Sequence, residues 1–125
     1  MAKLKLRIDL SPERAIGPGK IRLLELIDRD GSISAAARAL DMSYRRAWLL
    51  IDALHQTFRE PVIHTAAGGR SGGGASLTPF GHELVERYRT MEAETYRTLA
   101  PHLAALEAAM APEATQVPSP HRGEG

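Results

Sequence analysis

The stretch from Gly31 to Phe58 constrains the fold of this chain more than any other part of the sequence. It reads GSISAAARALDMSYRRAWLLIDALHQTF and contains two helix-forming segments on either side of Asp41-Met42. The first segment holds three consecutive alanines, which favour a helix and leave it thin enough to lie close to another helix. Hydroxyl side chains that can cap free backbone N–H groups begin both segments, namely Ser32 or Ser34 for the first and Ser43 for the second. The sequence therefore predicts two helices joined by a very short turn.

The second of these helices is amphipathic. Its apolar residues recur at spacings of three and four and define one face, formed by Ala47, Leu50, Ile51, Leu54 and Phe58. The opposite face carries Arg45, Leu49, Asp52 and Gln56, with Tyr44 and Trp48 on one flank and Arg46 on the other. Two helices with a short turn between them, the second with a basic first turn, are typical of a helix-turn-helix that reads DNA.

The residues before this stretch predict a strand and one more helix. Apolar and charged residues alternate strictly over residues 3–10, KLKLRIDL, as in a half-buried strand. We expect so early a strand to pair with a distant part of the chain or with another subunit. A basic segment that binds lipid is the alternative. Turn residues at 11–14 and 17–19 lead into a helix over 19–30, which Gly31 is suited to end because glycine accepts the left-handed conformation.

The residues after Phe58 predict a β-hairpin. Pro61 to Thr65 is β-prone, the glycine-rich segment AAGGRSGGGAS follows, and Leu77-Thr78 forms the return strand. A hairpin directly after a DNA-reading helix is the wing of a winged helix, and its tip would bring Arg70 and Ser71 to the DNA. A purely structural loop is the alternative. Nucleotide binding is disfavoured because the sequence has no GxxxxGK[ST] and no GxGxxG that opens a helix.

A long helix follows from Thr78 or Pro79 and runs for about 30 residues. Its apolar stripe extends beyond what a three-helix core can cover, which indicates self-association as a homodimer. The residues that we expect at the dimer interface are Leu84, Tyr88, Met91, Leu99, Leu103 and Leu106. Pro101 removes one backbone donor and is expected to kink or divide this helix. The predicted organisation is a DNA-binding domain over 1–78, a dimerisation helix over 79–111 and a disordered tail over 112–125, which is rich in proline and polar residues.

Several classes of function have no support in the sequence. The chain has no cysteine, its five histidines show no HxxxH or HxH spacing, and no carboxylate pairs suggestively with His or Ser. We therefore expect no disulfide, metal site, cofactor or enzymatic activity. No apolar run approaches the roughly 20 residues of a membrane span, so a cytoplasmic protein is expected. Residues 1–82 hold 12 Lys and Arg against 8 Asp and Glu, whereas residues 83–125 hold 4 against 7. The basic excess thus lies with the predicted DNA-binding part.

The roles of individual side chains in the second helix are open at this stage. Arg45 and Arg46 can bind guanine bidentately, clamp a phosphate, or form a solvated basic helix end. Trp48 can belong to the core, face the DNA or do both, and we favour packing with its indole N–H near the backbone. The capping serines are first of all structural, and phosphate contacts by the same helix ends are a secondary expectation.

The segment 31–58, together with PVIHTAAGGRSGGGASLTPFGHELVERY at 61–88, resembles the N-terminal DNA-binding domain of ModE, the molybdate-responsive transcriptional regulator. The shared features are the GSIS start, SY-x-x-AW at the beginning of the second helix, the wing GGRSGGG and the following LTPFG. The resemblance covers about residues 3–110, and the winged-helix domain of LysR-type regulators is similar more loosely.

This resemblance implies a mainly α winged helix-turn-helix with a small β component, which dimerises through the long helix and binds double-stranded DNA. The candidate DNA-binding residues are Ser32, Ser34, Ser43, Tyr44, Arg45, Arg46, Trp48, Arg70 and Ser71. Asp41 stands where this turn often has glycine, which an aspartate tolerates at some cost. The family's molybdate-binding domains have no counterpart in this sequence, so we expect a link to molybdenum or other metal-related genes without molybdate binding by this chain. The alternative is a protein-interaction module that pairs with a full-length ModE-type regulator.

Overall fold

Four helices and two antiparallel hairpins make up the part of the chain that the computed structural model describes, residues 2–66 and 74–113. The elements are β1 Ile8–Ser11, β2 Arg14–Ile16, α1 Pro18–Asp30, α2 Ile33–Ala39, α3 Tyr44–Thr57, β3 Ile63–Thr65, β4 Ala75–Leu77 and α4 Pro79–Ala108. This order confirms the predicted mainly α winged helix-turn-helix. The predicted wing tip, with Arg70 and Ser71, and most of the predicted tail lie outside the described residues.

The core lies between α1, α2 and α3. Helix α1 buries most of one side, and Ile21, Leu24 and Ile27 are fully inaccessible to solvent. Helix α2 contributes Ala36 and Ala37, whose small side chains allow α2 to pack closely against its neighbours. The buried residues of α3 are Ala47, Ile51 and Leu54, which belong to the predicted apolar face.

The turn between α2 and α3 has the geometry of a Schellman motif. The N–H of Met42 donates to the Ala37 carbonyl at 3.0 Å, and the N–H of Asp41 donates to the Arg38 carbonyl at 3.0 Å. Asp41 has a φ of 57°, so an aspartate does occupy the left-handed position that glycine usually takes. The Ser43 side chain then accepts the Arg46 N–H at 3.0 Å and caps α3.

The N-terminal strand is shorter than predicted and pairs differently. The interpretation of a distant or intersubunit strand partner was wrong, because the turn after Ser11 reverses the chain and β1 pairs with β2 directly, with Ile8 opposite Ile16. A register shift between Asp9 and Ser11 interrupts the alternation, and Leu10 is left 54% exposed.

Residues 2–7 run along α4 without forming a ladder with another strand in the described part of the chain. Leu4 and Leu6 are half-buried and alternate with exposed lysines, as the sequence predicted. The Leu4 N–H donates to the Tyr96 hydroxyl at 2.6 Å, and the Tyr88 hydroxyl donates to the Leu6 carbonyl. The N-terminal segment therefore covers part of the long helix.

The wing hairpin joins α4 through a single residue, Thr78. Strands β3 and β4 are antiparallel, with Ile63 opposite Leu77. The Thr78 hydroxyl donates to the Pro61 carbonyl at 2.7 Å and accepts the Gly81 N–H at 2.9 Å, so one side chain closes the hairpin and caps α4. A Cβ atom at Gly81 would overlap the Val62 carbonyl oxygen, which explains why this position of the LTPFG segment needs a glycine.

Helix α4 begins on the core and then leaves it. Leu84 and Tyr88 are buried, and the Arg89 guanidinium binds both oxygens of Glu25 in α1 at 2.8 Å. These hydrogen bonds hold the pKa of the Glu25 carboxyl below its usual value. The helix continues through Pro101 without being divided there.

Candidate nucleic-acid interface

The outward face of α3 carries the side chains that can reach a ligand. Ala47, Ile51 and Leu54 are fully buried on the inner side. The helical period of 3.6 residues therefore places a different set of residues on the outer side. All of that set are exposed, and we call them the outward face: Arg45, Leu49, Asp52 and Gln56.

Arg45 and Arg46 are both exposed in the first turn of α3. Neither guanidinium makes an ion pair or a side-chain hydrogen bond with any residue that the structure describes. Five donors on each guanidinium are thus available for an external acceptor such as a phosphate or a base edge. Arg45 lies on the outward face, whereas Arg46 lies on its flank.

Tyr44 and Trp48 form an aromatic pair on the other flank. Their ring centroids are 6.5 Å apart with an interplanar angle of 76°, which is an edge-to-face arrangement. Tyr44 is 54% exposed, whereas Trp48 is half-buried and packs against the core. Among the described residues the indole N–H of Trp48 has no hydrogen-bond partner. Trp48 therefore belongs to both the core and the surface.

A hollow beside the aromatic pair brings together α2, α3 and the wing. We call it the wing hollow, and its lining includes Ser32, Ser34, Tyr44, Trp48, Thr65 and Gly74. Ser32 is the residue that caps α2, since its hydroxyl accepts the Ala35 N–H at 3.0 Å. Ser34 is exposed within the first turn of that helix. The structure thus places two helix starts and the base of the wing around one concavity.

The base of the wing is attached to the turn that precedes α2. The N–H of Ala75 donates to the Gly31 carbonyl at 3.0 Å, and Gly31 has a left-handed φ of 68°. A Cβ atom at Gly74 would lie 3.3 Å from the same carbonyl oxygen, so the two backbones approach closely. Strand β4 consequently begins at a fixed place next to the wing hollow, opposite the end of β3.

The predicted dimerisation residues separate into two groups. Leu84 and Tyr88 lie in the core of the single chain, with relative exposures of 6% and 0%. The chain's own core covers both side chains, because the first half of α4 packs on α1. The other four lie beyond the core, with Leu99 and Leu103 half-buried and Met91 and Leu106 exposed.

An apolar groove along α4 was not predicted from the sequence. Its lining includes Leu6, Ile8, Met91, Thr95 and Leu99, and we call it the α4 groove. The alternation over residues 3–10 predicted an apolar face but not its partner. That partner is α4, because residues 2–7, which precede the β1–β2 hairpin, lie along this helix.

The described residues contain no group of three or more His, Asp or Glu side chains placed to hold a metal ion. No helix in ranges 2–66 and 74–113 is long and apolar enough to cross a membrane.

The fold and the exposed basic helix define a winged helix-turn-helix protein. The family model described as "Bacterial regulatory helix-turn-helix protein, lysR family" matches residues 19–82, and the chain belongs to this family. The matched segment extends from the start of α1 to the first turn of α4.

Several relatives are similar over about 70% of the chain. The molybdenum transport protein ModE of Azotobacter vinelandii is 41% identical over 90 residues, which are 72% of this chain and 33% of the relative. The molybdenum-pterin-binding protein MopB of Rhodobacter capsulatus is 42% identical over 68% of this chain and 32% of the relative. The DNA-binding transcriptional dual regulator ModE of Escherichia coli K12 is 36% identical over 70% of this chain and 33% of the relative. The chain thus spans about a third of the length of these relatives.

Proposed function

We propose that this protein is a sequence-specific DNA-binding transcriptional regulator that acts as a homodimer and controls genes connected with molybdenum. The observation that carries the proposal is the exposed first turn of α3, where two arginines have no partner among the described residues. Helices of this type enter the major groove with their N-terminal residues toward the base edges.

The two arginines have different roles in this proposal. Arg45 shares the outward face with Leu49 and Gln56, so it reaches the floor of the groove and binds guanine O6 and N7. Arg46 lies on the flank of the helix and binds a phosphate, which positions α3 without reading sequence.

The wing hollow gives further phosphate contacts. Ser34 and Tyr44 line it together with Trp48, and the hydroxyl of either residue can donate to a phosphate oxygen. Arg70 and Ser71 add contacts from the wing tip, a proposal that rests on the sequence alone.

The homodimer forms through the outer part of α4. Met91 lines the α4 groove and is 39% exposed, and Leu106 lies further along the same helix and is 68% exposed. A second copy of α4 would cover these apolar side chains and place two copies of α3 for the two halves of a symmetric DNA site. A full-length ModE-type regulator is the alternative occupant, and mixing the two chains before a mass measurement distinguishes the cases.

The link to molybdenum rests on the names of the relatives, which include a molybdenum transport protein and a molybdenum-pterin-binding protein. The DNA fragments to test are therefore the protein's own upstream region and the upstream regions of neighbouring genes for molybdenum transport or molybdenum enzymes.

Fluorescence anisotropy with these fragments, measured over a series of salt concentrations, tests the proposal. We expect affinity to fall steeply as salt rises, because phosphate contacts release counterions. Arg45→Ala should cost roughly 1–3 kcal/mol of binding free energy on the specific site and much less on random DNA. Arg46→Ala should weaken both to a similar extent.

Arg97→Ala is the matched control, since Arg97 is an exposed arginine of α4 on the side of the helix away from Leu99. It should leave both affinities unchanged. Binding that is absent from every upstream fragment, or insensitive to salt, would overturn the proposed function. Equal losses from Arg45→Ala on specific and random DNA would reassign that arginine to the backbone.

A further inference from the structure

We propose that Leu49 contacts the C5-methyl group of a thymine that lies one or two base pairs from the base bound by Arg45. Leu49 would then be a specificity-determining residue of the DNA site. The inference rests on the proposed function, because it requires that α3 enters the major groove.

The position of Leu49 in α3 carries the inference. Its side chain is 50% exposed, whereas Ala47 and Ile51, two residues away on either side, are fully buried. Leu49 therefore projects almost directly away from the core and adds little to the packing of the domain. An isolated exposed leucine is common on protein surfaces. This one, however, lies on the outward face of the helix that carries Arg45 and Arg46.

The neighbours of Leu49 on that face limit what it can contact. Arg45 lies four residues earlier and Asp52 three residues later, so polar side chains flank the leucine along the helix. An apolar side chain in this place gains free energy in a complex only if it meets an apolar group there. The C5-methyl of thymine is the apolar group that bases present in the major groove.

The spacing along the helix fits a base pair one or two steps away from the one bound by Arg45. Four residues advance an α-helix by about 6 Å along its axis. Successive base pairs are about 3.4 Å apart along the DNA axis. With Arg45 on a guanine, Leu49 is thus displaced by one or two base-pair steps. The expected sequence element is a guanine with a thymine one or two positions away on either strand.

Replacement of thymine by uracil tests the contact, because this change removes only the methyl group. A binding site is first selected with the wild-type protein from random double-stranded DNA. Each thymine of the selected site is then replaced singly by uracil, and affinity is measured. We expect one thymine in each half-site to be sensitive, with a loss of about fourfold, which corresponds to one buried methyl-sized group.

The Leu49→Ala variant should bind the thymine and uracil forms of that position with equal affinity. Leu49→Met, which keeps a long apolar side chain, should retain the discrimination. Leu10→Ala changes an equally exposed leucine outside α3 and should also retain it. Circular dichroism should give the same helical signal for all variants, because neither exposed leucine belongs to the core.

The possible results separate the two proposals. Discrimination that persists in Leu49→Ala, or a wild-type protein that is insensitive to uracil at every thymine of a selected site, would overturn the role of Leu49 alone. Failure to select any site would overturn the proposed function and the role of Leu49 with it.

Discussion

The two halves of α4 have similar apolar spacing but different surroundings. In the first half, up to Arg89, Leu84 and Tyr88 are buried against the core. In the second half, which ends at Ala108, every residue is half-buried or exposed, and Leu106 has 68% of its surface free. The same spacing of three and four therefore describes a core-forming segment and a segment that is left largely uncovered.

The difference arises from what lies opposite each half. The first half faces α1, which supplies Glu25 to Arg89 in addition to apolar side chains. Within the described ranges, the second half faces the N-terminal segment, where the Leu4 N–H donates to the Tyr96 hydroxyl and the Ala2 N–H donates to the Glu107 carboxylate. Helical periodicity identifies a face that is apolar, but the partner that covers it is a property of the tertiary structure.

The largest expected effect on the free energy of unfolding is in the first half of α4, which packs on the core. Tyr88→Ala should reduce the free energy of unfolding by about 3–5 kcal/mol, because Tyr88 is fully buried and its hydroxyl donates to the Leu6 carbonyl. Urea denaturation measures the change. Tyr96→Ala, at a half-buried tyrosine of the second half, is the control and should cost clearly less. Equal losses would mean that the two halves are packed equally well.

Loss of the Arg89–Glu25 ion pair, which lies between the two halves of α4, should lower the free energy of unfolding by a smaller amount. Glu25→Gln should cost about 0.5–1 kcal/mol at pH 7, a value near the upper end for partly exposed pairs. Because Arg89 lowers the folded-state pKa of Glu25, the contribution of the carboxylate is present above its unfolded-state pKa and is lost as the pH falls through the folded-state pKa. The difference between wild type and variant should therefore shrink in urea denaturations performed at successively lower pH.

Glu83→Gln is the control for this pair. Glu83 accepts a hydrogen bond from Arg87 at 3.0 Å on the exposed side of α4, where both side chains are more than half exposed. It should change stability less than Glu25→Gln does. A larger loss of unfolding free energy from Glu83→Gln than from Glu25→Gln would contradict the view that the Arg89–Glu25 pair anchors α4 to α1. So would a difference in stability between wild type and Glu25→Gln that grows as the pH falls.

The smallest effect on folding is expected near the C-terminal end of α4. Leu106→Glu should change the unfolding free energy of dilute protein by less than about 0.5 kcal/mol, since the side chain is mostly exposed. It should nevertheless abolish the proposed dimer, because a carboxylate would be buried without a partner. Analytical ultracentrifugation measures the mass. Leu10→Glu should leave the dimer intact, and a dimer that survives Leu106→Glu would exclude this part of α4 from the interface.

The sequence predicted the features that depend on neighbouring residues. Gly31 ends α1, Ser43 caps α3, and the helices occur where the local pattern placed them. The return strand of the hairpin is Ala75–Leu77 rather than the predicted Leu77-Thr78, because Thr78 caps α4. Each signal acts within a few residues, so a single sequence contains it. The choice between Ser32 and Ser34 required the structure, because two hydroxyls within one turn give the same local signal.

The features that depend on distant contacts were predicted less well. The predicted partner of the N-terminal strand was wrong, because the chain reverses at the turn after Ser11 and β1 pairs with β2. The alternation of apolar and charged residues did not reveal this reversal. The burial of Tyr88 and the α4 groove beside Leu6 depend on segments more than 80 residues apart in sequence. The roles of Arg45 and Arg46 stay predictions, because they concern a ligand.

The anchoring of α4 at Arg89 has a mechanical consequence. From Arg89 to the last residue of α4, Ala108, the helix extends about 28 Å beyond its attachment to α1. A tilt of about 10° at the attachment would therefore move the far end by about 5 Å, since displacement grows with length along a stiff rod. In a dimer joined near the C-terminal ends of the two α4 helices, the geometry of the Arg89–Glu25 pair would influence how far apart the two copies of α3 lie. That separation would determine how many base pairs fall between the two halves of the DNA site.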